Sequence, residues 1–202
     1  QRWQPCGVKA VRMAGDGTYE LATDRGSVRS RSIVVATGGL SIPKIGATDF
    51  GYRIAKQFGL RLVDTRPGLV PMTFDGEGWA PYAGMAGLSL PVRIETGDRK
   101  TRMEFLEDLL FTHRGLSGPA VLQISSYWRE GSAIRLNLAP GVELPAALAR
   151  AKATSRKLLA NELAQLVPNR LAEAWVQQDA DWQRPVAEAS DKALARLAER
   201  LS

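Results

Sequence analysis

Short runs in which apolar and polar residues alternate make up the first part of the chain. Such runs lie at residues 8–11, 19–23 and 28–32 and are separated by glycine-containing turns. Alternation with a period of two is typical of half-buried strands, and glycine and aspartate favour the turns between them. The continuous apolar run Ile33-Val34-Val35-Ala36 follows, and it predicts a fully buried strand.

The predicted strand at residues 33–36 ends at Thr37-Gly38-Gly39, and this turn is the first candidate site. Glycine lacks a Cβ atom, so the backbone there can turn tightly and let a ligand approach closely. Dinucleotides bind at the carboxyl ends of strands in open α/β sheets. Residues 51–59 predict a helix, with Asp49 or Thr48 as its cap. The pattern indicates an edge that faces a cofactor, and the alternative is a tight turn with no ligand.

Prolines and glycines punctuate the stretch from residue 67 to residue 143. Its runs at 69–74, 88–95 and 133–138 predict the short strands of a small barrel or sandwich. One helix interrupts these strands, and we expect Ser117 to be its N-cap and Pro119 to lie in its first turn.

Residues 144–202 predict helices. Alanine, leucine, arginine, lysine and glutamate dominate this stretch, and its leucines recur at the spacing of one helix face. Pro168 and Pro185 break the pattern into three helices. The fold class that follows for the whole chain is mixed α+β.

Two long strings resemble the aminoacetone-oxidase-like, FAD-dependent flavoproteins, a family with a glutathione-reductase-type dinucleotide-binding fold. The first string is VVATGGLSIPKIGATDFGYRIAKQFGLRLVDTRPGLVPMTF at residues 34–74, and the second is LFTHRGLSGPAVLQIS at residues 110–125. The helical stretch at 157–171 agrees less specifically. The resemblance implies an FAD-dependent oxidoreductase with a small-molecule substrate and with NAD(P)H as a candidate electron donor. It also implies a site for FAD, formed by Val8, Ala36, Thr37, Gly38 and Gly39.

The chain departs from that family at both ends. It has neither the Gly-x-Gly-x-x-Gly turn that holds the FAD pyrophosphate nor the closing glycine-rich segment. We therefore expect an internal fragment of a larger enzyme, inactive alone and without tight FAD binding. The expected domains are a partial FAD-binding domain at 1–66 that keeps a remnant of the FAD-binding sheet, a β-rich barrel-like insertion domain at 67–143 and a helical insertion subdomain at 144–202. In the resembled family the insertion covers the substrate side of the flavin.

The loop from His113 to Ser117 is the second candidate site. His113 is the single histidine of the chain and is the candidate catalytic residue. We expect it to lie at the mouth of a helix N-terminus, where free N–H groups favour an anion. The candidate substrate-lining residues are His113, Arg114 and Ser117. The alternative is that this loop only caps its own helix.

Charge and composition bring in a rival function. The net charge of +6 and the pI near 9.8 suggest a non-catalytic basic module that binds nucleic acid or a protein partner. The positive residues are scattered without interleaved aromatics, and this argues against nucleic acid as the partner. One histidine and one cysteine exclude the usual zinc sites. The lone Cys6 fits a reducing cytoplasm, and the apolar runs are too short to cross a membrane.

Overall fold

The computed structural model describes residues 1–202, apart from the side chain of residue 43. The chain divides into two compact units, which we call the N-terminal unit (Gln1–Arg66) and the C-terminal unit (Pro67–Ser202). The predicted roles of residues 1–66, 67–143 and 144–202 as separate domains stay predictions.

The N-terminal unit holds a three-stranded antiparallel sheet and one α-helix. The strands β1 (Val8–Met13), β2 (Tyr19–Thr23) and β3 (Gly26–Ser30) lie in chain order. This confirms the strands predicted from alternation, and burial alternates along β2, whereas in β1 it is confined to Ala10 and Val11. The helix α1 (Phe50–Gln57) is joined to β1 by the Gln57 side-chain amide, which donates to the Val11 carbonyl at 2.6 Å.

One prediction about this unit is wrong, and another holds for only one of its two alternatives. Residues 33–36 form no strand in the described structure, and Val34 is 90% exposed. An apolar run becomes a strand only where another strand pairs with it, and none does here. Asp49 occupies the N-cap position of α1, but its side chain does not cap the helix and instead accepts from the Arg53 guanidinium at 3.0 Å. The Thr48 hydroxyl, the other predicted cap, accepts from the amide of Phe50, the first residue of α1, at 3.4 Å.

The C-terminal unit begins with a five-stranded antiparallel sheet in the order β4-β7-β6-β5-β8. Its strands are β4 (Met72–Thr73), β5 (Ser89–Thr96), β6 (Met103–Thr112), β7 (Gly115–Ser117) and β8 (Ile134–Asn137). Burial alternates along β5, as the period of two predicts. Two helices belong to this part, α2 (Gly76–Ala83) and α3 (Pro119–Ser125).

The rest of the C-terminal unit holds four α-helices rather than the three predicted, because residues 155–158 interrupt the first predicted helix. They are α4 (Leu144–Thr154), α5 (Leu159–Leu163), α6 (Asn169–Val176) and α7 (Asp191–Leu201). Ser190 caps α7 by accepting from the Ala193 amide at 3.1 Å. No helix in the described part of the chain is long and apolar enough to span a membrane.

One hydrophobic core serves both the sheet and the helices of the C-terminal unit. Val92, Ile94 and Leu109 of the sheet belong to the same buried cluster as Leu159 and Leu197 of the helices. The mixed α+β class predicted from the sequence is therefore confirmed.

Candidate nucleic-acid interface

The loop predicted to line a substrate site is a tight β-hairpin turn. His113 and Arg114 join β6 to β7, and both are exposed. The predicted position of His113 at a helix mouth is wrong, because β7 separates it from α3. The N-cap of α3 is Gly118, with φ +89°, rather than Ser117, which ends β7 and is half-buried.

Backbone and hydroxyl hydrogen bonds hold this turn. The Thr112 hydroxyl donates to the Gly115 carbonyl at 2.9 Å and accepts from the Arg114 amide at 3.3 Å. The Arg114 carbonyl accepts from the Phe74 amide at 3.2 Å, which ties the turn to the residue after β4. The turn thus presents one histidine and one arginine on a fixed backbone.

Basic residues also lie in the segment between α4 and α5. The Lys157 carbonyl accepts from Val186 at 2.9 Å, and the Leu159 amide donates to the Arg184 carbonyl at 3.0 Å. These two bonds and the bridge between Leu158 and Pro185 pair the backbone at residues 157–159 with that at 184–186, which the sequence separates. We call Arg156, Lys157 and Arg184 the basic connection.

The basic connection is only lightly neutralised. Arg156 and Lys157 are exposed, and neither forms an ion pair in the part of the chain that the structure describes. Arg184 lies 3.6 Å from the Asp181 carboxylate, and its buried Nε has no hydrogen-bond partner among the described atoms. The neighbouring Glu162 carboxylate accepts from the Ser155 hydroxyl at 2.7 Å. These cations can therefore bind a polyanion without first breaking a strong ion pair.

Other cations of the helical part are already paired. The Arg196 guanidinium contacts the carboxylates of Asp179 at 2.5 Å and Asp181 at 3.2 Å. A hydrogen bond from the Asp181 amide, followed by the Arg196 guanidinium, lowers the pKa of Asp179 below its ordinary value. Arg196 and Arg200 also lie over the Trp182 ring, 5.9 and 5.7 Å from its centroid. This group stabilises the fold rather than offering free charge.

The residues predicted to bind FAD lie in the N-terminal unit. Val8 begins β1, and Ala36, Thr37 and Gly38 are exposed in a segment without regular structure. Gly38 has φ +72°, a conformation that favours glycine.

The segment from Ala36 to Gly39 rests against α1. A Cβ at Gly51 would lie 3.3 Å from the Thr37 hydroxyl, and one at Gly39 would lie 3.3 Å from the Tyr52 hydroxyl. An exposed strip with one helix beside it does not enclose a flavin ring, so these residues do not form a complete flavin site. Their role in binding FAD stays a prediction. No group of three potential metal-ligating side chains occurs among the described residues.

Comparison with known proteins identifies the family. The family model described as HI0933-like protein barrel and H2TH domain matches residues 66–202. The chain belongs to this family. The HI0933-like match covers the five-stranded sheet, the hairpin turn and the basic connection.

Two curated relatives are similar to this chain in sequence. The chain is 48% identical over 167 residues to the ribosomal RNA dihydrouridine synthase of Escherichia coli (strain K12), a match that covers 82% of this chain and 41% of the relative. It is 44% identical over 149 residues to the protein of the same name from Haemophilus influenzae, covering 73% of this chain and 36% of the relative. The matches thus span about two fifths of the length of these relatives.

Three predictions are corrected by these matches. The aminoacetone-oxidase-like assignment is wrong, because the family is HI0933-like. The predicted flavoprotein oxidoreductase acting on a small molecule is wrong, because both relatives are named for ribosomal RNA. The argument against a nucleic-acid partner fails for the same reason. Scattered positions in a sequence do not exclude cations on segments that the fold pairs, as the pairing of 157–159 with 184–186 shows. The prediction of an enzyme agrees with these matches in one respect: both relatives are named as enzymes.

Proposed function

We propose that this chain is an RNA-contacting part of a ribosomal RNA dihydrouridine synthase. The observation that carries the proposal is the 48% identity over 167 residues to the Escherichia coli enzyme of that name. The match covers most of this chain, so a shared role in the same reaction is the simplest explanation. The alternative predicted from charge, a basic module that binds nucleic acid, describes part of this role.

The chemistry follows from the product. Dihydrouridine differs from uridine by one hydrogen atom on each carbon of the C5–C6 double bond. Its formation is a two-electron, two-proton reduction, so the reaction needs an electron donor. Flavins and nicotinamides supply such hydrides, while the protein binds and orients the substrate. FAD is the hydride carrier that we propose for this reaction, and Val8 with residues 36–39 are its proposed contacts in this chain.

The basic connection supports binding of the RNA backbone. Phosphate contacts by lysine and arginine supply most of the sequence-independent affinity for nucleic acids. Arg156 and Lys157 are exposed, lie next to each other in the chain and form no ion pair within the described structure. We expect both side chains to contact RNA phosphates.

Salt-dependent binding of the chain to ribosomal RNA tests this function. The Arg156→Gln/Lys157→Gln variant should bind more weakly than the wild type at low salt, and the difference in affinity should shrink as the salt concentration rises. Its plot of log affinity against log salt should be shallower by about 1.4, because two phosphate contacts to single-stranded RNA are lost.

A control variant separates local contacts from overall charge. Arg53→Gln/Arg93→Gln removes the same two charges, but its arginines pair with Asp49 and Glu104, each at 3.0 Å. The control should keep the wild-type slope. Equal slopes for the two double variants would show that the basic connection is not a specific contact. A wild-type chain that does not bind RNA at low salt would contradict the proposed function.

A further inference from the structure

A column of aromatic rings in the C-terminal unit ends at the surface. The Phe74 ring stacks on the Trp79 indole with a centroid distance of 4.9 Å and an interplanar angle of 8°. Trp79 in turn lies 6.1 Å from Phe111 at 20°. Trp79 and Phe111 are buried, whereas Phe74 is 50% exposed. We call Phe74, Trp79 and Phe111 the aromatic step.

The aromatic step is held in place by the sheet and the hairpin turn. The Trp79 indole N–H donates to the Thr112 carbonyl at 2.9 Å. The Phe74 amide donates to the Arg114 carbonyl at 3.2 Å, directly after the pairing of β4 with β7. A ring fixed in this way loses little conformational freedom when a partner stacks on it.

The surroundings of Phe74 are polar and carry charges of both signs. The sequence neighbours Thr73 and Asp75 are exposed, so polar side chains flank the Phe74 ring along the chain. His113 and Arg114 are exposed on the turn bonded to Phe74. Asp75 accepts from the Gly78 amide as the cap of α2, and Glu77 is exposed in the first turn of that helix. The Arg114 guanidinium belongs to the turn, and the carboxylates lie in and before α2.

This combination fits a nucleotide better than a protein partner. Protein interfaces have a hydrophobic core of several contiguous residues. A single exposed ring with a cation beside it matches a base and the phosphate next to it. Sequence-specific RNA recognition uses unpaired bases that stack on aromatic side chains.

We propose that the aromatic step is a stacking platform for an unpaired base of ribosomal RNA, with Arg114 contacting an adjacent phosphate. This inference rests on the proposed function. Phe74 supplies the free ring face, and Trp79 and Phe111 hold it rigid from below. The carboxylates of Asp75 and Glu77 repel the phosphate backbone and favour its passage on the side of the turn.

The test compares two short probes with the wild-type chain at one fixed salt concentration. The first probe is an oligouridylate, and the second is an abasic ribose-phosphate oligomer of the same length. The wild type should bind the oligouridylate more tightly. Phe74→Ala should weaken that binding about tenfold, the size of loss typical of one base–aromatic stack, and should leave abasic binding unchanged. Phe74→Trp keeps a ring and should retain the preference for the oligouridylate.

Leu106→Ala is the matched control. Leu106 is a 60% exposed apolar residue of β6 in the same sheet and lies outside the aromatic step. Its removal should change neither affinity. A Phe74→Ala chain that is folded by circular dichroism and binds oligouridylate like the wild type would overturn the stacking platform and leave the proposed function intact. A wild-type chain that binds neither probe would overturn both the stacking platform and the proposed function. If Phe74→Ala does not fold, a Phe74→Trp chain without base preference would overturn the inference.

Discussion

Replacing Gly115 with alanine is expected to destabilise the C-terminal unit. Gly115 begins β7 with φ +150°, a backbone conformation that side chains with a Cβ rarely adopt. A Cβ there would lie 3.0 Å from the Met72 carbonyl carbon and 3.0 Å from the Thr73 Cα, and closer still to the Met72 carbonyl oxygen. All three are backbone atoms of the β4 segment that pairs with β7, so they cannot move aside alone.

The size of the effect is the sum of two terms. The unfavourable backbone conformation costs about 1–2 kcal/mol. Forcing a methyl group against a packed backbone costs about 1–3 kcal/mol more. We therefore expect Gly115→Ala to lose about 3 kcal/mol, a large share of the roughly 5–15 kcal/mol by which domains are stable.

Gly131→Ala is the matched control for this prediction. Gly131 has φ +82°, and no described atom lies within 4 Å of the position that its Cβ would take. Only the backbone term applies, so the expected loss is about 1 kcal/mol. Guanidinium unfolding followed by tryptophan fluorescence measures both losses, since most tryptophans lie in the C-terminal unit: Trp79, Trp128, Trp175 and Trp182. Equal losses for the two variants would refute the argument from the contact with β4.

Two further predictions concern the helical part. Trp182 is 1% exposed and its indole N–H donates to the Ala193 carbonyl at 2.8 Å, so Trp182→Phe should lower the free energy of unfolding by about 2 kcal/mol. Trp128→Phe, at a half-buried indole that donates to Ser132, should lose less than about 0.5 kcal/mol, and equal losses would contradict the role of burial. The lowered pKa of Asp179 contributes stability above its ordinary value of 3.8, and this is lost as pH falls through the folded-state pKa. Unfolding curves from neutral pH down to about pH 3 should therefore show a smaller acid loss for Asp179→Asn than for the wild type, and an unchanged loss would contradict this.

Local pattern predicted the regular elements whose partners are close in the chain. The strands β1, β2 and β3 follow one another through short turns, so alternation within each run was sufficient. The helix α2 was not predicted, because Gly76, Gly78 and Pro81 are poor helix formers and packing of Trp79 overrides their propensity. The strand β7 was not predicted either, because its three residues become a strand only between β4 and β6.

The candidate site depended on contacts that no single segment shows. The segments at 157–159 and 184–186 become neighbours through their backbone bonds, and the sequence alone places them apart. Likewise, the sequence shows how many cations there are but not that Arg196 is held by Asp179. Phe74 was included in a predicted strand, and only the structure shows that its ring rests on Trp79 at the surface.

The modification reaction tests the central claim most directly. Unmodified ribosomal RNA, made by transcription, is incubated with the full-length protein that carries this chain, with FAD and dithionite as the reductant. Mass spectrometry of the digested RNA then measures dihydrouridine. We predict that a uridine gains two hydrogen atoms, and that the Arg156→Gln/Lys157→Gln variant needs more RNA to reach the same rate. RNA that stays unmodified by a folded, FAD-loaded protein would contradict the claim.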